Sequence, residues 1–309
     1  MVTIIRNFLF LYFFILHTSC NKKSHIETHP IKKYIFDLTD SIEAETFDKI
    51  LQLPERRGAL IDLGKHVPQD STTWVFWAAS FQDSLYNIYS HCMGEFGGSI
   101  AFQSRNDTNK IHVISSSCVQ QIEKVDSGYL IMESLAHMCG FSKIVIIKEP
   151  KNHFTLPKDS VIDEFLLKND SIWQLQNGYF QNTYEDDTLI DIMGYVFVIT
   201  FIHNNQRFVI CSDDYKTYLS EINNGEMRIV DTLINQPSWS YNSNLVIKEN
   251  GNYYCRYSGH TKKHYSDTSS TPHYRFAGVI AIKGDSIIIG HQESYFKTHD
   301  ELYNSKPFY

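Results

Sequence analysis

The sequence predicts an all-β chain built from antiparallel meanders, and three observations carry that reading. Short runs rich in Val, Ile, Phe and Tyr recur from about residue 32 to 295. Tight clusters of Asn, Asp and Gly separate many of them. Helical periodicity is almost absent. Strand runs joined by two-residue turns point to hairpins, not to parallel strands with crossover helices.

The predicted strands follow in order. Lys32–Phe36, Thr73–Trp77, Ser99–Gln103 and Lys110–Ile114 come first, the last with partial alternation of apolar and polar residues. Gly128–Met132 and Lys143–Ile147 flank a small-residue corner, and Ser171–Leu175 follows. Tyr195–Ile199, Arg207–Ile210, Tyr215–Ile222 and Glu226–Val230 form a dense group, and the apolar run Ile192–Ile202 reads as one buried strand or two. Asn244–Ile247, Asn252–Cys255, Gly278–Ile282 and Ser286–Ile289 complete the set. The turns are Asp126–Gly128, Asn169–Asp170, Asn204–Asn205, Asn223–Gly225, Asn250–Gly251 and Gly284–Asp285. Asn, Asp and Gly tolerate the positive φ that two-residue hairpins demand. One short helix is expected from Asp40 to Leu53, opened by the capping box Asp40-Ser-Ile-Glu43 and stopped by Pro54. Glu149–Asp159 reads as linker-like, and Ser258–His273 as a long exposed loop.

Gly128–Ile147 and Arg207–Leu233 have the rhythm of strand, turn, strand that resembles β-propeller blades. At roughly 40 to 50 residues per four-stranded blade, residues 32–309 make a single β-rich domain of five or six blades. A β-sandwich is the competing architecture.

The first residues speak of destination. Arg6 is followed by the apolar run Phe8–Leu16, then His17-Thr-Ser-Cys20. A positive start, a short apolar core and small residues before a cut make a secretory signal peptide. Nine apolar residues are too few to span a bilayer as a helix. Thr18 and Ser19 before Cys20 resemble the signal of bacterial lipoproteins, with His17 where that family usually has Leu. The resemblance implies removal of residues 1–19, lipid on Cys20, a membrane as partner and a place in the cell envelope, periplasmic or surface-exposed. Residues 20–31 are polar and read as a flexible tether.

Removing residues 1–19 leaves 27 basic and 35 acidic residues, a net charge near −8. That excludes a nucleic-acid partner, whose affinity rests on Lys and Arg against phosphate. Five cysteines then remain. Their spacing holds no metal or redox motif, and Cys92 with Cys118 is the favoured disulfide.

No stretch calls for a cofactor, a metal or a recognisable catalytic set. "SHCMGEFGGSIAF", from Ser90 to Phe102, reads as a glycine-rich turn entering a strand, with His91 and Glu95 as ligand-binding candidates. "ESLAHMCGF", from Glu133 to Phe141, reads as a corner between strands despite holding Glu133, Ser134, His137 and Cys139. Asp186, Asp187, Asp191, Asp213 and Asp214 read as turn acids. Trp239 and Tyr241, with Trp173, Tyr253, Tyr254 and Tyr257, suit a carbohydrate or peptide platform. The expectation is an envelope module binding a carbohydrate, a peptide or an envelope protein. The alternative is a glycan-acting hydrolase that uses turn carboxylates.

Overall fold

Many of the predicted runs form strands, and Tyr86–Cys92 and Val119–Val125 are strands that the predicted runs miss. The computed structural model describes residues 30–37, 76–92, 98–136, 140–156, 186–238, 246–262 and 273–296. The described residues are all-β, with one 3-10 turn and no α-helix. The expected helix at Asp40–Leu53 and the strand Ser171–Leu175 lie outside them.

Strand β1 (Lys32–Asp37) comes first among the described residues. A first sheet holds β2 (Phe76–Gln82), β3 (Tyr86–Cys92), β4 (Gly98–Ser104) and β5 (Ile111–Ser116) as a meander. A second sheet holds β6 (Val119–Val125), β7 (Gly128–Leu135) and β8 (Phe141–Ile147). A 3-10 turn, Pro150–Asn152, then leads to β9 (Phe154–Thr155), which adds to the edge of β5. The described part of the stretch expected to be a linker, up to Leu156, thus holds a 3-10 turn, which Pro150 suits at its start, and a two-residue strand of the first sheet. Strand β10 (Asp187–Met193) returns to pair with β8. A third sheet is the meander β11 (Val196–His203), β12 (Gln206–Ser212), β13 (Thr217–Asn223) and β14 (Glu226–Ile234). A fourth comprises β15 (Val246–Glu249), β16 (Asn252–Lys262), β17 (His273–Lys283) and β18 (Ser286–Phe296).

Strand β1 pairs with β18 in parallel, from Lys32 opposite Ser286 to Asp37 opposite His291. The other strand pairs are antiparallel. Strands β16 and β17 also run past the point where a loop was expected. Ser258 to Lys262 pair with Ala277 to His273, so that part of the polar stretch is a long hairpin. Polar residues give no apolar signal there, but β18 extends the ladder on β17 and makes extension favourable for both strands.

Hairpin chemistry explains the joints. Asn204 and Asn205 take φ of 49° and 61°, and Asn224 and Gly225 take 52° and 81°. Both positions of a type I′ turn require such values.

Alternation along the strands places the core. On β7, Tyr129 and Ile131 pack with Ile88, Phe102 and Val119 toward the first sheet. Their neighbours Leu130 and Met132 pack with Ile144, Phe197 and Val209 toward the third. On β11 and β12, Val198, Phe201 and Ile210 join Tyr253, Ile280 and Ile289 of the fourth sheet. The second and third sheets are therefore apolar on both faces, each sheet packing against the next in chain order. A two-sheet sandwich would leave one face of each sheet to solvent, so it does not describe this arrangement. Each fully buried Leu, Ile or Phe contributes about 1.5–3 kcal/mol. A disulfide, Cys92–Cys118, ties the end of β3 to the residue before β6, with 4.6 Å between Cα atoms.

Candidate functional site

A polar cluster sits where β6, β11 and β15, edge strands of three sheets, approach one another. Its base is set by backbone need. Strand β11 has a register irregularity between Phe197 and Ile199, next to Thr200. Gln121 of β6 satisfies the Thr200 backbone there. Its amide Nε2 donates to the Thr200 carbonyl at 2.9 Å, and the Thr200 N–H donates to Gln121 Oε1 at 2.9 Å. A side-chain amide thus stands in for a strand neighbour, which buried backbone groups require.

Two residues further along β6, alternation brings Glu123 to the same side as Gln121. Glu123 is 8 % exposed. Tyr253 of β16 donates its hydroxyl to both carboxylate oxygens, at 3.1 and 3.2 Å. Lys248 of β15 pairs with Glu123 Oε1 and also lies 4.9 Å from the Tyr253 ring centre. Burial works against the Lys248 charge, but Glu123 and Tyr253 outweigh it and hold its pKa above the ordinary value. Burial and then Glu123 push the Tyr253 hydroxyl up. At neutral pH Lys248 is therefore an ammonium and Tyr253 a neutral phenol.

Arg207 of β12 connects this cluster to solvent. Its Nη1 donates to Thr200 Oγ1 at 3.4 Å. Burial lowers its pKa, and the nearby Glu123 and Tyr253 partly restore it. Arg207 also lines a cleft of about 570 Å³. The rim of the cleft is made by the two Asn-rich hairpins, through Asn205, Asn223 and Asn224, with Thr188 and Glu221 beside them. Glu221 is already engaged by Arg228. The arrangement suits binding through a half-buried guanidinium and side-chain amides. It does not pair two carboxylates for acid–base hydrolysis.

The sequence candidates fall elsewhere. His91 lies on β3, opposite Trp77 and Ser99. Glu95, Trp239, Tyr241, Trp173, His137 and Cys139 lie outside the described residues. Ser134 is engaged by structure: its Oγ bonds Ser142 Oγ at 2.9 Å and accepts from the Phe197 N–H at 3.0 Å. Tyr253, Tyr254 and Tyr257 are 6 %, 8 % and 2 % exposed, so they are core and not an open platform. Asp186 faces His153 at 3.3 Å, and Asp187 pairs with Lys148 at 2.9 Å. Asp213 caps its own turn through the N–H groups of Tyr215 and Lys216 and takes the Tyr218 hydroxyl at 2.8 Å. Among the described residues, no group of three or more His, Cys, Asp or Glu could hold a metal ion, and no helix is long and apolar enough to cross a membrane.

Gln121, Glu123, Arg207 and Lys248 were not singled out from the sequence. The signal was there in "VQQIEKV", where Gln121 and Glu123 occupy alternate positions of a run otherwise compatible with a strand. Comparison with protein-family models, with characterised proteins and with solved structures gives no match.

Proposed function

We propose that this chain is an exported bacterial lipoprotein, anchored through Cys20, whose β domain is a propeller-like ligand-binding module of the cell envelope. The leader ending at Cys20 supports the anchor. Residues 32–309 have the length of five or six blades at roughly 40 to 50 residues each, and four sheets lie within the described residues. Successive meanders packed face to face, and a strand from the start of the chain added to the last sheet, both fit closure of a ring of blades.

The observation that carries the binding reading is Arg207. This half-buried residue lines an open cleft, beside the cluster where the edge strands of three sheets converge. Ligand sites commonly sit on loops held by a rigid scaffold, as these hairpins are. The hydrolase alternative draws less support, because Asp186, Asp187 and Asp213 already have partners.

Intact mass and membrane fractionation of the wild type beside Cys20→Ala test the anchor. A diacyl or triacyl increment on a chain starting at Cys20, lost in the variant, is expected. A soluble wild-type chain without lipid mass contradicts it. Thermal-shift screening of the full mature chain against glycans and peptides tests the module. A reproducible stabilising ligand is expected, and none across the panel contradicts the binding reading.

A further inference from the structure

We infer that the Arg207 cleft takes the carboxylate of an acidic sugar, a uronic acid or its oligomer. This rests on the binding-module reading and names the ligand class for that same site. A guanidinium offers five N–H donors in a planar fork that matches a carboxylate. The described hydrogen bond of Arg207 is the long one to Thr200 Oγ1, 3.4 Å, so its fork has capacity for a ligand.

The surrounding charges are already balanced. Lys248 pairs with Glu123, and Arg228 pairs with Glu221. Arg207 is left as the net charge of the cleft, and it is positive. Lys248 and Arg207 share the single carboxylate of Glu123, and an anionic ligand completes that balance where a neutral one does not.

The rest of the lining specifies hydroxyls. Asn205, Asn223 and Asn224 each offer an amide donor and acceptor, and Thr188 adds a hydroxyl. Asn205 and Asn224 sit in positive-φ turn positions, at 61° and 52°, which fixes the backbone of the rim before a ligand arrives. About 570 Å³ is enough for one or two sugar rings.

The test uses the full mature chain, titrated calorimetrically with trigalacturonate and with its neutral galactose counterpart. Galacturonate is expected to bind at least tenfold more tightly. Arg207→Gln is expected to abolish the preference, and Arg207→Lys, which keeps charge but not the fork, to retain part of it. Melting temperature checks that both variants are folded, and Arg207→Lys serves alone if Arg207→Gln unfolds. Equal affinity for both sugars, unchanged in the variants, overturns the inference while leaving a binding module in place. No binding of galacturonate overturns it as well, and the wider glycan and peptide screen then decides the binding reading separately. Displacement by equimolar inorganic phosphate would show a site for anions in general and overturn the sugar assignment.

Discussion

The carboxylate of Glu123 on β6 receives the hydroxyl of Tyr253 on β16 at 3.1 Å, across 130 residues of chain. Lys248 completes the contact, but the two charges are not equally committed. The Glu123 side chain is 10 % exposed and that of Lys248 is 43 % exposed. Removing Glu123 lets Lys248 turn to water at small cost. Removing Lys248 leaves a buried carboxylate without its cation. The prediction is an inverted double-mutant cycle. Lys248→Met costs about 1–3 kcal/mol, and adding Glu123→Gln recovers about 1 kcal/mol of it. Urea denaturation of the three variants measures this, and a double variant less stable than Lys248→Met contradicts it.

Gly278 on β17 lies between Tyr257 on β16 and His291 on β18 in register. The Tyr257 ring passes over it, and its hydroxyl meets His291 Nδ1 at 2.8 Å. A Cβ at Gly278 would overlap both that ring and the Gly290 carbonyl. Gly278→Ala is expected to cost about 2–4 kcal/mol. Tyr257→Phe, which keeps the ring, should cost about 1 kcal/mol. Because the backbone clash persists, truncating Tyr257 in the Gly278→Ala background should rescue only part of the loss. Equilibrium denaturation gives all three numbers, and a neutral Gly278→Ala would disprove the close approach.

Glu133 on β7 is 6 % exposed and accepts the Ser117 N–H at 2.7 Å. Burial raises its pKa, and the Ser117 bond and Lys143 only partly oppose that rise. The folded state therefore holds this proton more tightly than the unfolded chain, whose Glu titrates near about 4.3. The stability this group contributes is full below that pH and is lost as pH rises through the folded pKa. Glu133→Gln stays neutral and lacks the descent. The stability difference between wild type and variant should move in favour of the variant from pH 4 to pH 8. Parallel profiles would contradict the assignment.

The Cys92–Cys118 bridge closes a separation of 26 residues between the first two sheets. Replacing both cysteines with Ser should lower stability by about 3 kcal/mol, chiefly by freeing the unfolded chain. Cys211 and Cys255 are buried within the core, and burial pushes the Cys211 thiol up to about 12. Alkylation of the native oxidised chain at neutral pH should therefore leave those two unlabelled. Urea denaturation reads the stability loss, and mass spectrometry reads the labelling.

What was legible in the sequence was local. Asn204–Asn205 and Asn224–Gly225 announce their turns because the backbone angle they need is a property of those residues alone. Strands such as β7, β8 and β18 announce themselves through apolar runs. Strand β6 does not, because Gln120, Gln121 and Glu123 are buried in it and blur the apolar pattern. The parallel pairing of β1 with β18 joins opposite ends of the chain, which no local pattern records. The site escaped for the same reason. Glu123, Arg207 and Lys248 are unremarkable polar residues until three sheets bring their strands together.

The most direct test of the account is to map where an acidic glycan binds, by hydrogen exchange of the full mature chain with and without trigalacturonate. Protection centred on the hairpins at Asn204–Asn205 and Asn223–Gly225, lost in Arg207→Gln, is the predicted result. Protection confined to Ser90–Gly98 or to the stretch around Trp239 and Tyr241, with those hairpins unchanged, would contradict it and move the site to the residues the sequence favoured.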